Sequence, residues 1–405
     1  MPLWKRNLFV CWLGSFITAS GMSQVTPFLP LYIEELGVHD TASIARWAGI
    51  TFGATFFFSA IVSPIWGRIA DKYGRKPMLL RASLGMVVIV GLMGLAQNVY
   101  QLAGLRLLMG LISGFIPAAI TLVATQTPKE HAGWALGTLS TGMVSGMLLG
   151  PLIGGYLAGT IGIRNVFYVT SGLLLLSFLA CLLFIKEDFT PSNKASLSFH
   201  EVWAEIPNTK LMISMFITTF ILQLANMSIN PIITIYIKQL SQHSNHIELI
   251  SGIIISAAGL ANILAAPWLG KLSDKIGARK VLFVCLIFAG LTFIPQAFVQ
   301  DPWQLMGLRF LLGLATAGLL PCINTLVKQL SPPSITGRVF GYNQSAQNFG
   351  SLSGAVLGGQ IAALFGIQYV FYFTGALLLV NALWVYTTTR YQWTPKMESP
   401  QVSVK

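Results

Sequence analysis

Long apolar runs separated by short polar turns fill the chain from one end to the other. A bilayer crossing needs about 20 mainly apolar residues. By that measure the runs fall at 8–33, 44–66, 78–97, 101–126, 133–159, 164–185, 211–237, 247–269, 280–299, 303–327, 338–364 and 367–389, which predicts twelve spanning helices. The first run follows Lys5 and Arg6 as a signal peptide would, but it continues for about 25 residues to Tyr32 without a small-residue cleavage pattern, so it reads as a retained span. One long polar stretch, 186–210 (KEDFTPSNKASLSFHEVWAEIPNTK), divides six spans from six. It reads as a cytoplasmic linker between an N-terminal six-helix bundle at 1–185 and a C-terminal one at 211–405, with a short interfacial helix over 200–206.

The two groups of six repeat one another. GRIADKYGRK at 67–76 returns as GKLSDKIGARK at 270–280, so that Gly67, Asp71, Lys72 and Gly74 recur as Gly270, Asp274, Lys275 and Gly277, 203 residues on. Pro27 and Tyr32 answer Pro231 and Tyr236; YQLAGLRLLMGL at 100–111 answers WQLMGLRFLLGL at 303–314, setting Arg106 against Arg309. Spans five and six answer eleven and twelve in the same way, with an offset of 203 or 204 throughout. Such duplication predicts an all-α membrane protein of two homologous bundles related by an axis along the membrane normal, with a site between them at mid-depth.

Composition agrees with this class. Charged residues are 9% and hydrophobic residues 54% of the chain, with a mean hydropathy of +0.69, against about 25% charged residues in a soluble domain. The net charge of +12 does not point to nucleic acid, because the cations sit in short loops and form no basic face. They argue topology instead. With the N-terminus inside the cell, 20 of the 25 Lys and Arg fall on the cytoplasmic side, 3 (Arg46, Arg164 and Lys238) fall outside, and Arg106 and Arg309 lie within spans. Both termini are then cytoplasmic. The four cysteines, Cys11, Cys181, Cys285 and Cys322, sit in apolar runs without CxxC spacing or a His cluster, as packing residues do. No metal or cofactor site is expected.

Twelve spans in two repeats with these motifs resemble the major facilitator superfamily, and the resemblance covers almost the whole chain. Residues 67–76 are similar to its loop 2–3 signature. The second copy departs from it, with Ala278 where an arginine matching Arg75 is expected. The resemblance implies a conformational latch built from Gly67, Asp71, Gly74, Arg75, Lys76 and Asp274, with Asp71 facing the start of span eleven near Arg338 and holding the cytoplasmic side shut. Topology alone accounts for the cations but not for a carboxylate between glycines in both halves. GMLLGPLIGG at 146–155, with Gly146, Gly150, Pro151, Gly154 and Gly155, resembles the signature of the superfamily's antiporters, drug exporters among them; Ala355 replaces its proline in span eleven. Small residues three and four apart also serve plain helix packing in lipid.

Arg106 lies in a stretch (105–118, LRLLMGLISGFIPA) similar to the superfamily's span-four motif, which implies a role in proton coupling. An intramembrane cation is costly without a partner or water, although near a span end it also snorkels. No Asp or Glu occupies the middle of any span. Glu34 and Glu35, level with Arg106 at the outer end of span one, are the nearest candidates for exchanging protons with it; two acids that simply end a helix are the plainer reading. Polar residues at helical spacing outline a cargo cavity: Gln24, Phe28 and Tyr32 in span one, Gln223, Asn226 and Asn230 in span seven, Arg309 in span ten, and Asn343, Gln344, Gln347 and Asn348 in span eleven. Amides are also ordinary interhelical glue.

The resulting expectation is a monomeric, multi-pass exporter of the bacterial inner membrane that exchanges small amphiphilic compounds for protons, with lipid as its other partner. The alternative is an importer or facilitator of a sugar or metabolite. An enzyme finds no support, since HExxH, GxSxG and GxxxxGK[ST] are all missing. A transport-dead receptor would need a signalling domain that the short ends do not suggest.

Overall fold

A computed structural model describes residues 2–189, 199–241, 246–332 and 335–390. Residues 190–198 of the linker and the tail bearing Lys396 and Lys405 lie outside the described residues. The first half holds α1 (Leu3–Ser23), α2 (Leu29–Glu35), α3 (Thr41–Tyr73), α4 (Arg75–Gly94), α5 (Val99–Ile112), α6 (Phe115–Gln126), α7 (Ala132–Ile161) and α8 (Ile163–Phe184). A short helix, α9 (Phe199–Ala204), follows where an interfacial helix was expected. The second half holds α10 (Thr209–Ile229), α11 (Ile233–Leu240), α12 (Ile247–Ile276), α13 (Ala278–Phe293), α14 (Pro302–Thr316), α15 (Leu319–Leu330), α16 (Thr336–Phe365) and α17 (Ile367–Arg390).

Among the described residues, ten helical stretches are long and apolar enough to cross a membrane. The first and eleventh of the twelve passages are the more polar ones. In the first, Pro27 and Pro30 withdraw backbone donors, and the helix opens between Ser23 and Leu29. In the eleventh, Asn343, Gln344, Gln347 and Asn348 dilute an otherwise continuous helix, α16. The sequence pattern predicts each span as one run, but spans one, four, seven and ten are each broken into two segments. Span four breaks at Gly114, whose φ of 126° suits only glycine, and span seven breaks beside Pro231, between α10 and α11.

Within each half, one glycine-faced helix lies backbone to backbone on its neighbour. On α7, a Cβ at Gly142 would stand 2.8 Å from the Trp12 carbonyl oxygen of α1, one at Gly150 would stand 2.7 Å from that of Ser20, and one at Gly154 would stand 2.6 Å from Gln24 Cβ. On α16, the same holds for Gly354 against Leu224 Cα at 2.8 Å and Gly358 against Ser228 Cα at 2.6 Å of α10. With no water between helices in lipid, such contact replaces the hydrophobic drive of a soluble core.

Buried hydrogen bonds repeat across the halves as well. Tyr32 donates its hydroxyl to the Met93 carbonyl at 2.6 Å, and its repeat, Tyr236, donates to the Gln296 carbonyl at 2.9 Å. Gln24 donates to the Thr170 hydroxyl, and in the other half Ser228 pairs with Thr374 at 2.8 Å. All four cysteines are buried and free.

Replacing Gly354 by Val should therefore lower the thermal midpoint of the purified protein by an overpacking cost of about 1–3 kcal/mol. Gly172→Ala, at a position with no atom within 4 Å of a new Cβ, should leave the midpoint in place. Equal midpoints for the two variants would refute the packing account.

Candidate functional site

The contacts that join the halves lie on the side of the molecule away from the 67–76 turn, here called the far face; the turn, the start of α1 and the end of α17 define the basic face. On α3, a Cβ at Gly49 would stand 3.1 Å from Gly359 Cα of α16; on α12, one at Gly252 would stand 3.2 Å from the Pro151 carbonyl carbon of α7. Gly155 of α7 meets the Glu248 backbone of α12, and Ser256 donates to the Leu148 carbonyl at 2.9 Å. Thr234 of α11 donates to the Pro27 carbonyl at 3.0 Å, and Lys238 Nζ lies 2.6 Å from Glu34 Oε2. Toward the basic face, Gly67, Gly133, Gly137, Gly270, Gly337 and Gly341 have no atom within 4 Å of where a Cβ would stand. Among the described residues, the close backbone contacts between the halves lie at the far face.

A cavity of about 530 Å³ occupies the gap, lined by Trp66, Arg81, Ser113 and Met147 of the first half and by Gln344, Gln347 and Asn348 of the second. A smaller cavity of about 270 Å³ lies within the second half, with Gln223, Asn226, Asn230, Arg309 and Thr316 in its wall. The structure thus brings together Gln344, Gln347 and Asn348 in the first and Gln223, Asn226, Asn230 and Arg309 in the second. The remaining candidates line neither of these two cavities. Gln24 and Tyr32 are buried in their hydrogen bonds, Phe28 packs edge-on to Phe167 at 5.6 Å, and Asn343 is buried between Thr219, from which it accepts at 2.8 Å, and Asn324. Each packs inward because its helix turns that face to a neighbour in its own half.

Arg106 and Arg309, at 7% and 8% exposure, are as alike in place as in sequence. On both, Nε and Nη2 are buried without a hydrogen-bond partner. Arg106 stands 5.6 Å from the Phe52 ring, a cation–π contact. Glu34 is paired with Lys238 across the halves and not with Arg106.

In the 67–76 turn, Gly74 with φ 95° joins α3 to α4. The side chain of Asp71 lies outside the described residues. Backbone N–H groups of Arg75 and Lys76 donate to the Glu187 carboxylate at 2.7–2.9 Å, and Lys76 Nζ donates to the carbonyls of Leu182 and Ile185 at 3.1 and 2.7 Å. A carboxylate on the free N–H groups of a helix start, and an ammonium on the carbonyls of a helix end, are both favoured by the helix dipole. Asp274, in the second copy, is exposed. Glu187 is a residue that sequence reading passed over as linker; its signal was an acid directly after span six, facing a turn rich in cations.

The sequence profile of the Major Facilitator Superfamily matches residues 11–218 and 215–403. The chain belongs to this superfamily. Relatives named "Multidrug resistance protein MdtG", from Salmonella paratyphi C (strain RKS4594) and Salmonella typhimurium (strain LT2), are 50% identical over 388 residues, 96% of this chain and 96% of theirs. Among solved structures, a bacterial homologue of the human lysosomal transporter Spinster, inward-facing and unoccupied, superposes with a TM-score of 0.79 at 15% identity, covering 98% of this chain and 99% of that one. The nucleoside transporter NupG does so with a TM-score of 0.76 at 16% identity, covering 97% and 100%. At those identities the likeness is one of fold.

Within this superfamily fold, the α7 run 146–155 serves two interfaces at once: Gly146, Gly150 and Gly154 seat α1, while Pro151 and Gly155 seat α12 of the other half. The Glu34–Lys238 pair is 36% and 44% exposed, so it is worth about 1 kcal/mol at most, and the glycine contacts hold the far face. Lys238→Glu should therefore raise the rate at which a cysteine placed at Thr234 reacts with a membrane-impermeant maleimide by no more than about fivefold. Gly252→Leu should raise it far more. A larger effect from the charge reversal would overturn this ranking.

Proposed function

We propose that the protein is a monomeric exporter of a bacterial cytoplasmic membrane, moving small amphiphilic compounds outward in exchange for protons by alternating access of its two halves. The bundles are 1–185 and 211–405, tethered by 186–210, and the basic face with both termini is cytoplasmic. The 20-to-3 division of Lys and Arg supports that orientation. The observation that carries the reading is the cavity between halves whose close backbone contacts lie at the far face, in a chain whose relatives at 50% identity are named multidrug resistance proteins. The antiporter-like run at 146–155 favours exchange over sugar or metabolite import.

In this reading the structure is inward-open. Asp71, Arg75 and Asp274 latch the cytoplasmic side once it closes, the first-half turn more firmly because Glu187 braces it. Arg106 takes part in coupling from its buried place. Glu35, at the outer end of α2, senses outside pH. Desolvation raises its carboxyl above the ordinary value of about 4.3; Arg164 opposes this and Glu248, from the other half, adds to it. A proton is thus bound more tightly when the far face is closed, and by linkage outside acid favours the closed gate while rising pH releases it.

Inverted membrane vesicles with an imposed pH gradient supply the direct test. Cargo-dependent proton release is expected, and accumulation unaffected by collapsing the gradient would contradict exchange. Asp71→Asn should slow turnover at least about tenfold while equilibrium binding stays within about twofold; wild-type turnover would return the turn to a topology signal. Glu35→Gln should flatten the dependence of turnover on outside pH from about 4.3 upward, and an unchanged profile would remove Glu35 from the account.

A further inference from the structure

The seam between α7 and α12 carries a groove on the side that faces away from the main cavity. It has a volume of about 490 Å³ and is walled by Leu148 and Leu152 of α7, Ile253 and Leu260 of α12, and Met306 and Phe310 of α14. Successive residues of a helix turn by about 100°. Around α7 that turn leads from Met143 and Met147, in the main cavity, past Pro151 and Gly155, against α12, to Leu148 and Leu152. The seam therefore stands between groove and cavity. Leu148 and Leu260 lie near the middle of α7 and α12, at the depth of bilayer hydrocarbon and away from its head groups.

Among the described residues of the wall, Ser256 alone has a polar side chain, and its hydroxyl is already donated across the seam to the Leu148 carbonyl at 2.9 Å. The wall suits an apolar ligand. At Gly307, on the exposed rim, a Cβ would meet no atom within 4 Å, so the groove is open where α14 passes it. The other seam, between α3 and α16, is built differently at the matching places. Gly53 stands for Ser256 and Phe57 for Leu260, 203 residues earlier, and Val356 stands for Leu152, 204 residues later. A Cβ at Gly53 would come within 2.9 Å of the Val356 side chain and 3.3 Å of that of Leu352. There the side chains of α16 close down on α3, and the α7–α12 seam departs from that pattern.

We infer that this groove is the seat of one acyl chain of a membrane phospholipid, lying along the α7–α12 seam and touching both halves. Hydrocarbon is what a spanning chain meets at that depth, and the groove is continuous with the glycine contacts that join the halves. A groove touches a chain on several sides where a convex helix face touches it on one, and dispersion adds up over those atoms. Leu148 and Leu152 belong to one half and the rest of the named wall to the other, so parting α7 from α12 takes the seat apart. A seated chain therefore favours the arrangement in which the far face is joined. The seat is independent of what the protein carries; its effect on rocking rests on the exporter reading.

The test is photolabelling of the purified full chain in dodecyl maltoside, whose own tails compete for any merely apolar surface, by a phosphatidylethanolamine with a diazirine at mid-chain. Adducts are mapped by mass spectrometry. At low lipid fraction they should fall on residues 253–260 and 306–310 at least about fivefold more often than on Leu173, Leu175 and Leu176, an exposed face of α8. Gly307→Leu, which fills the groove where it is open, should lower the groove adducts at least about fivefold. Gly104→Leu, at the repeat position with equally open surroundings, should leave them unchanged. Leu260→Phe, the residue of the other seam, should also lower them and keeps the test in force if the Gly307 variant does not fold. Groove adducts no more frequent than those on α8, or unmoved by either filling, would overturn the inference and leave a face open to any tail, a cargo's included. A two-chain particle whose groove is closed to the probe would overturn it in favour of a second copy of the chain. The link to rocking is read separately: the lipid should slow the maleimide reaction of a cysteine at Thr234 at least about threefold. A labelled groove without that slowing would keep the seat and contradict the rocking.

Discussion

Backbone-to-backbone contact at glycine is the constraint on which the structure depends. In lipid there is no hydrophobic gain from bringing two apolar helices together, so helices hold each other by close van der Waals fit. The chain uses that fit twice, at positions four residues apart. Gly146, Gly150 and Gly154 on α7 fix the inside of the first half, and Gly350, Gly354 and Gly358 on α16 fix the inside of the second. Gly155 and Gly359, one step further round the same helices, meet the opposite half. The same two helices therefore serve as rigid walls of their bundles and as the surfaces on which the bundles meet.

Because those cross-half contacts lie at the far face, the other end is free to part, and the parted end is where the cavity forms. In its wall Arg81 stands on Trp66. Arg309 faces the smaller cavity of the second half and Arg106 is buried in the first; both have two nitrogens without hydrogen-bond partners, and no acid lies mid-span to neutralise them. An intramembrane cation of this kind is costly. The acids that do occur near the halves' junction sit at its rim: Glu34 is paired with Lys238, and burial raises the carboxyl of Glu35 above its usual value.

The duplication was the most legible feature of the sequence. Offsets of 203 and 204 place Arg106 with Arg309 and Tyr32 with Tyr236, and the structure leaves the same two nitrogens of the arginines without partners and gives the tyrosines equivalent hydrogen bonds. The breaks in spans one, four, seven and ten were not legible, since a run such as 101–126 is apolar on both sides of Gly114, and only φ at that residue marks the turn. Cavity lining was half legible. Gln347 and Gln223 face open volume, whereas Asn343 and Gln24 satisfy their amides inside one half. An amide is equally suited to either fate, and the face a helix shows its neighbour is decided by glycines elsewhere along it. Arg81 was read as a topology charge because its partner Trp66, fifteen residues away and across a turn, is brought to it only by the packing of α3 against α4.

The central claim, that the halves rock about glycine contacts so that one face opens as the other closes, is tested most directly by paired distances in the same sample. Spin labels at Tyr73 and Ile276, both exposed at the basic ends of α3 and α12, report one face; labels at His39 and Gln239, beside the far-face junction, report the other. In nanodiscs across a range of pH and cargo, the account predicts two populations, with the basic-face distance shortening in proportion as the far-face distance lengthens. A single distance at each face under all conditions, or both distances widening together, would contradict it.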